Sequence, residues 1–398
     1  AEDNQYEVKF GDGILGAALS TGNIVTLSYI VTNAEESNGA SSFSLSGTLG
    51  GFSNVTITTA TNSANGAQPE TPDSIRFNAP KQYAAQNRAV TPKDYESRVK
   101  SIYANAKSVS VWGGEDNSTP VYGRVYIAIK PVAGATLTEA TKTDIINKLK
   151  EFNVASITPI IQDPETTSVQ LNVSVKYDAK STSRTADSVK ALVTSAITNF
   201  NTTNLQEFDS IFRHSKFIET INKADDSILS NITTVKLHKS FTAVTTGSTT
   251  YTISFNNALY NPHSGHNATG GGILVSSGFK ISGDATNEYF LDEDGAGNVR
   301  LYYLVGTTRT YSNSTQGTID YTNGTITLNS LNITSVSNVD GATSTAVRLT
   351  VIPNSVDVIP VRNQVLEIDE TNTTVTVSAD TYDTTSGIGY TSATSYAS

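Results

Sequence analysis

Histidines and acid-rich turns are the side chains in this 398-residue chain whose spacing most invites a chemical reading. His263 and His266 stand three residues apart in NPHSGHN and could supply two metal ligands. A zinc site needs a third and a fourth ligand on a rigid frame, whereas Pro262, Gly265 and Asn267 mark a solvated loop. In LDEDGAGN, Leu291 to Asn298, three acids precede two glycines. They could offer oxygen to calcium, but the glutamate that closes an EF-hand loop is missing and strand patterns flank the segment, so a hairpin turn competes. Glu115 and Asp116 are an acidic pair with nothing beside them to make a catalytic dyad. FGDGILG, Phe10 to Gly16, has the glycines of a phosphate loop. It lacks the Lys-Ser/Thr pair and a following helix, so Gly11, Asp12, Gly13 and Gly16 read as a structural turn. Serine is abundant, yet no GxSxG elbow follows a strand. His214, beside Arg213 at a helix start, reads as surface or packing. Trp112, the single tryptophan, ends an alternating strand and reads as a core or interface anchor. No catalytic set, cofactor or metal is expected.

Composition narrows the classes further. The formal net charge is -10 and charged residues make up 16% of the chain, so a broad basic surface for nucleic acid is not expected. No stretch approaches the roughly 20 apolar residues of a membrane-spanning helix. Cysteine and methionine are both absent, which removes disulfides and cysteine-based zinc sites. Ala1 is followed by Glu2 and Asp3 and not by a secretory signal. Ala1 is either a processed start or the start of a fragment; a fragment is the expectation, since Gln5 to Gly16 already reads as mid-domain sequence.

The elements that must hold these residues follow from periodicity. Val25, Leu27 and Tyr29, then Phe43 and Leu45, then Val55 and Ile57 alternate with polar residues, predicting half-buried strands in a β-rich segment 1–75. Residues 61–74 read as a polar linker. Thr91 as N-cap, Pro92 at N1 and Asp94 at N3 open a helix carrying Tyr95, Val99 and Ile102 on one stripe. Strands Ser108 to Trp112 and Val121 to Lys130, a helix from Leu137 to Phe152 and a strand from Val154 to Gln162 complete an α+β unit, 76–165. A second unit, 166–240, is similar in layout without residue-level identity, with strand Ser168 to Tyr177, helices Arg184 to Phe200 and Arg213 to Lys223, and strand Ile232 to Leu237. Beyond Phe241 only strand periods and turn dipeptides remain, with GTIDYTNGTITL, Gly317 to Leu328, as a hairpin. The fold class is therefore α+β: a β-rich start, two small units with helices on antiparallel sheets, then a mainly β region, 241–398. Its final segment, from Thr381, reads as a loose tail or a strand added to a partner.

Several segments resemble, in the same order, the baseplate J-like and wedge proteins of T4-like contractile-tailed bacteriophages. They are FGDGILG, TGNIVTLSYIVTNAEESNGA from Thr21, NRAVTPKDYE with Arg88, Thr91, Asp94 and Tyr95, VWGGED with Trp112, Gly113, Gly114 and Glu115, YGRVYIAIKP with Gly123, and FRHSKFIETINKADDSI from Phe212. The resemblance implies a structural, non-enzymatic part of the virion tail baseplate, assembled in the host cytoplasm. It also implies that the chain is the C-terminal part of a longer one, and an inner ring of wedge copies in contact with one another and with other wedge proteins, rearranging on contraction. A β-rich receptor-binding or adhesin-like surface protein is the rival reading, prompted by the region after Phe241. A low-charge chain of short strands leaves edges that need covering. A homodimer or ring of like copies is expected to do so, through the half after Phe241.

Overall fold

The computed structural model describes residues 10–14, 16–27, 36, 38, 40–59, 63, 66, 71–86, 88–117, 119–154, 156–266 and 272–380. The chain divides into two compact units, Ala1–Thr71 and Pro72–Ser398.

In the first unit the described residues form no strand ladder, only an isolated bridge between Leu49 and Phe52. The strands expected at Val25, Leu27, Phe43, Leu45, Val55 and Ile57 are thus not found there, and Tyr29 lies outside the described residues. Period-two alternation prepares a strand, but a ladder needs a partner at hydrogen-bonding distance. Without one, Val25, Leu27, Phe43, Leu45 and Ile57 remain exposed.

The second unit opens with α1, Pro72–Ala85, a helix the sequence does not announce: it has no apolar stripe and carries Pro80 inside it. The expected linker therefore runs into a helix. Next come α2 (Pro92–Ile102), β1 (Ala106–Gly113), β2 (Arg124–Pro131), α3 (Glu139–Leu149) and β3 (Thr158–Gln162). The three-stranded sheet has the order β1-β2-β3. β1 runs antiparallel to β2, while β3 runs parallel to it. The expected all-antiparallel sheet is corrected by α3, a helical crossover that returns the chain in the same direction. Tyr95 and Val99 of α2, Ile145 and Leu149 of α3, and Val125, Ile127 and Ile129 of β2 share one buried core.

The chain continues through β4 (Glu165–Tyr177), α4 (Ala186–Asn204), α5 (His214–Asn222) and β5 (Ile228–Thr242). After these come β6 (Thr249–Ser254), β7 (Leu274–Ser276), β8 (Phe279–Ile281), β9 (Asp284–Glu293), β10 (Asn298–Val305) and β11 (Thr308–Asp320). The last are β12 (Thr325–Leu331), β13 (Ile333–Val336), β14 (Ala346–Val351), β15 (Gln364–Ile368) and β16 (Thr374–Ala379). No helix occurs after α5 among the described residues, so the region is mainly β as its periodicity predicts. β11 and β12 form the GTIDYTNGTITL hairpin, with Asp320 opposite Thr325. The final segment from Thr381 lies outside the described residues.

Two sheets share this part. A seven-stranded sheet has the order β13-β8-β9-β10-β11-β12-β6, and a six-stranded sheet has β15-β4-β5-β14-β7 with β16 also on β4. Strands from both sides of residue 240 build the second sheet, so the boundary expected there coincides with no break. Val169, Leu171, Val235, Leu237, Leu349 and Val351 lie on one face of that sheet by register. Toward β4 that face carries Val193, Ile197 and Phe217 of the two helices; toward β14 it meets the seven-stranded sheet, where Phe241 contacts the Tyr251 ring at 4.5 Å.

Candidate functional site

The residues singled out in the sequence fall into three places. In the first unit, Gly13 N donates to Gly16 O at 2.8 Å and Ile14 N to Asp12 Oδ1 at 2.9 Å. Gly13 has φ +87°, and a Cβ on Gly11 would strike the backbone of Gly16. The motif is a turn, and its chemistry is that of backbone geometry.

The second place is the start of α2. The Thr91 hydroxyl accepts from Asp94 N, and Asp94 Oδ2 accepts from Thr91 N at 2.8 Å and Val90 N at 3.2 Å, a reciprocal capping box. Burial alone would raise the Asp94 carboxyl. The backbone donors of Thr91 and Val90, with the Thr91 hydroxyl and the charge of Arg98, hold it below its ordinary value instead. Tyr95 is fully buried in the core beneath. Arg88 is exposed and donates to Gln86 Oε1 at 2.9 Å.

The third place is the β1–β2 connection. Gly114 opens a 3-10 turn, Gly114–Asp116, and Val121 N donates to Gly114 O at 2.9 Å. A Cβ on Gly114 would sit on the Val121 carbonyl, and one on Gly113 would sit on the Glu115 carboxylate. Gly123, at φ +74°, accepts from Thr158 N and so ties β2 to β3. Here Trp112 stacks on Tyr126 with ring centroids 5.8 Å apart, and its Nε1 donates to Asn117 Oδ1 at 2.9 Å. Trp112, Tyr126 and Ala128 lie on the sheet face opposite the helices. They form a buried cluster with Phe208 of the second α+β region and Val365 of β15. Phe208 N donates to Ser108 Oγ at 3.1 Å along the same seam. The sequence signals Trp112 as an anchor. Nothing in the sequence pairs it with Phe208 or Val365, because that contact is purely tertiary.

The remaining chemical candidates resolve into structural networks. LDEDGAGN is the β9–β10 turn. Buried Asp292 accepts from Arg300 Nε at 2.8 Å, Arg309 Nη1 at 2.7 Å and the Tyr311 hydroxyl at 2.9 Å. Arg300 and Arg309 lie over the Tyr311 and Tyr302 rings. Buried Glu293 accepts from Ile273 N and the Tyr321 hydroxyl. His266 Nδ1 lies 3.2 Å from His263 Nε2 in an exposed loop. His214 Nε2 lies 3.1 Å from Thr233 O, and its backbone N donates to Asp357. Among the described residues no group of three or more His, Asp or Glu side chains is placed to hold a metal ion. A pair the sequence leaves unmarked is His238 with Asp369, 2.7 Å apart. Burial pushes the His238 imidazole below its ordinary value, against the opposing pull of Asp369.

Residues 91–162 match the family model of baseplate structural protein gp6, C-terminal domain I, and residues 165–240 match that of C-terminal domain III. Both models describe structural proteins of a baseplate, and the two stretches contain the two α+β regions that Trp112 joins. One relative is the baseplate wedge protein gp6 of Enterobacteria phage T4, 27% identical over 260 residues. The match covers 59% of this chain and 38% of that protein, so the chain spans less than half of that relative. A chain of the 6-fold symmetrised cryo-EM structure of the anti-feeding prophage baseplate overlaps 46% of this chain and 43% of its own length. Its identity is 13% and its TM-score 0.34, too distant to establish a shared fold. The sequence matches support a structural baseplate component.

Proposed function

We propose that this chain is a structural part of a baseplate wedge in a contractile tail, a virion component assembled in the host cytoplasm. In this reading it joins like copies and other wedge proteins in the inner ring, rearranges when the tail contracts and has no enzyme activity. The observation that carries the proposal is the coincidence of two gp6 domain matches with two regions welded through the Trp112 cluster. Of the family-like residues, Thr91 and Asp94 cap a helix, Gly113, Gly114 and Gly123 permit close turns, and Tyr95 and Trp112 fill a core and a seam, while Arg88 and Glu115 are exposed. Such a part works through large complementary surfaces and rigid internal packing, which a catalytic cleft would not require. Electron microscopy of purified tails tests the reading. The expected outcome is density for this chain in an interior ring; density at fibre tips, with binding of intact particles to host glycans lost when the chain is blocked, would favour the receptor-binding alternative.

A further inference from the structure

The residues around His263 and His266 predict a solvated loop, but hydrogen bonds close and brace it. His266 N donates to His263 O at 3.1 Å, and Gly265 between them takes φ +75°. This is a four-residue turn with glycine where positive φ is needed. Gly265 N and Asn261 Nδ2 both donate to Gly295 O, at 2.9 and 3.2 Å. The turn is thereby tied to the β9–β10 connection. The Tyr260 ring meets the His266 ring edge-on, with centroids 5.5 Å apart.

This frame turns two ring nitrogens toward each other. His266 Nδ1 lies 3.2 Å from His263 Nε2. The other nitrogen of His263, Nδ1, lies 3.3 Å from Ser264 O. A carbonyl only accepts, so this contact places the His263 proton on Nδ1 and leaves Nε2 with a bare lone pair. Metal-ligating histidines are commonly held this way, with the second ring N–H on a backbone carbonyl. The shared contact is then His266 Nδ1–H donating to His263 Nε2. Moving that one proton to His266 Nε2 leaves both facing nitrogens bare. Both residues are exposed, so an ion reaches them without any opening of the fold.

We propose that His263 Nε2 and His266 Nδ1 chelate one divalent first-row transition-metal ion of the zinc type, with water filling its remaining positions. With Zn–N bonds of about 2.0–2.1 Å, nitrogens 3.2 Å apart subtend roughly 100–105° at the ion, close to the tetrahedral angle. Imidazole nitrogen suits zinc, copper and nickel, whereas calcium and magnesium want oxygen. The chain has four histidines and no cysteine. The other two histidines are engaged elsewhere: His214 Nε2 lies 3.1 Å from Thr233 O, and His238 Nε2 lies 2.7 Å from Asp369 Oδ2. Among the described residues, the turn is thus the one place where two imidazole nitrogens converge. Two protein ligands make an open chelate, distinct from a closed structural zinc site with four. The site stands on the geometry of the turn and is independent of the baseplate reading.

Calorimetric titration of the full chain with zinc tests the site, in excess magnesium to occupy surface carboxylates. The expected result is a single zinc ion per chain. His263→Gln and His266→Gln should each weaken binding roughly a hundredfold or more, since losing an outer-shell partner alone costs about 10–100-fold. His214→Gln should leave the titration unchanged. Circular dichroism checks that each variant is folded. Nitrogen-15 spectra of the imidazoles should show zinc shifting His263 Nε2 and His266 Nδ1. A full chain that binds no zinc overturns the proposal. So does binding that survives either substitution in the pair, and so does coordination through the other ring nitrogens.

Discussion

Asp292 shows how much one side chain can hold. It is 1% exposed and accepts from two guanidinium groups and a phenol. Removing it strands two buried or half-buried cations, so Asp292→Ala should cost about 3–5 kcal/mol, read from urea unfolding. Trp112→Ala empties the seam between the two α+β regions and should cost a similar 3–5 kcal/mol, with loss of the stack on Tyr126. His238 predicts a pH dependence. Its folded value lies below its ordinary one, so the unfolded chain binds protons first as pH falls. The stability it contributes is full above about pH 6.5 and is lost as pH drops below that. The thermal midpoint should decline from pH 7.5 to 5.5, and His238→Gln should flatten that part of the curve. A midpoint independent of pH in that range would contradict the assignment.

At the scale of elements, local signals were legible where they were self-sufficient. The α2 capping box needs only Thr91 to Asp94, and Thr91→Ala should cost about 1 kcal/mol in thermal unfolding. The run Val125 to Ile129 is apolar at every position, the pattern of a strand buried on both faces. β2 indeed packs helices on one side and the Trp112 cluster on the other. The alternating valines of β4 and the Asn323-Gly324 hairpin were equally readable. α1 was not, since a helix without an apolar stripe leaves no period to detect. The strands expected near Val25 and Phe43 failed for the opposite reason: their alternation is present, but alternation does not state where a partner strand lies. The candidate turn residues were visible as glycines, whereas the His238–Asp369 pair joins positions 131 residues apart and leaves no local trace.

The whole molecule from Pro72 onward is organised by the six-stranded sheet. Its central strands, β4 and β5, belong to a matched domain that ends at residue 240, yet β14, β15 and β16 come from beyond residue 345. A chain cut after residue 345 should therefore lose amide-exchange protection in β4, although β4 itself is intact. Unchanged protection there would show that the late strands are dispensable. The parallel pairing of β4 with β16 also has a consequence in time. Ser174 and Thr376 meet across 202 residues, and loop closure of that length makes the contact intrinsically late. At about 5–20 residues per second of synthesis, β4 leaves the ribosome roughly 10–40 seconds before the strand that covers its flank. During that interval the nascent chain carries an open, valine-rich sheet edge. Its yield in the cell should then depend on how quickly β5 closes the other side, and on whatever chaperone shields the one that must wait.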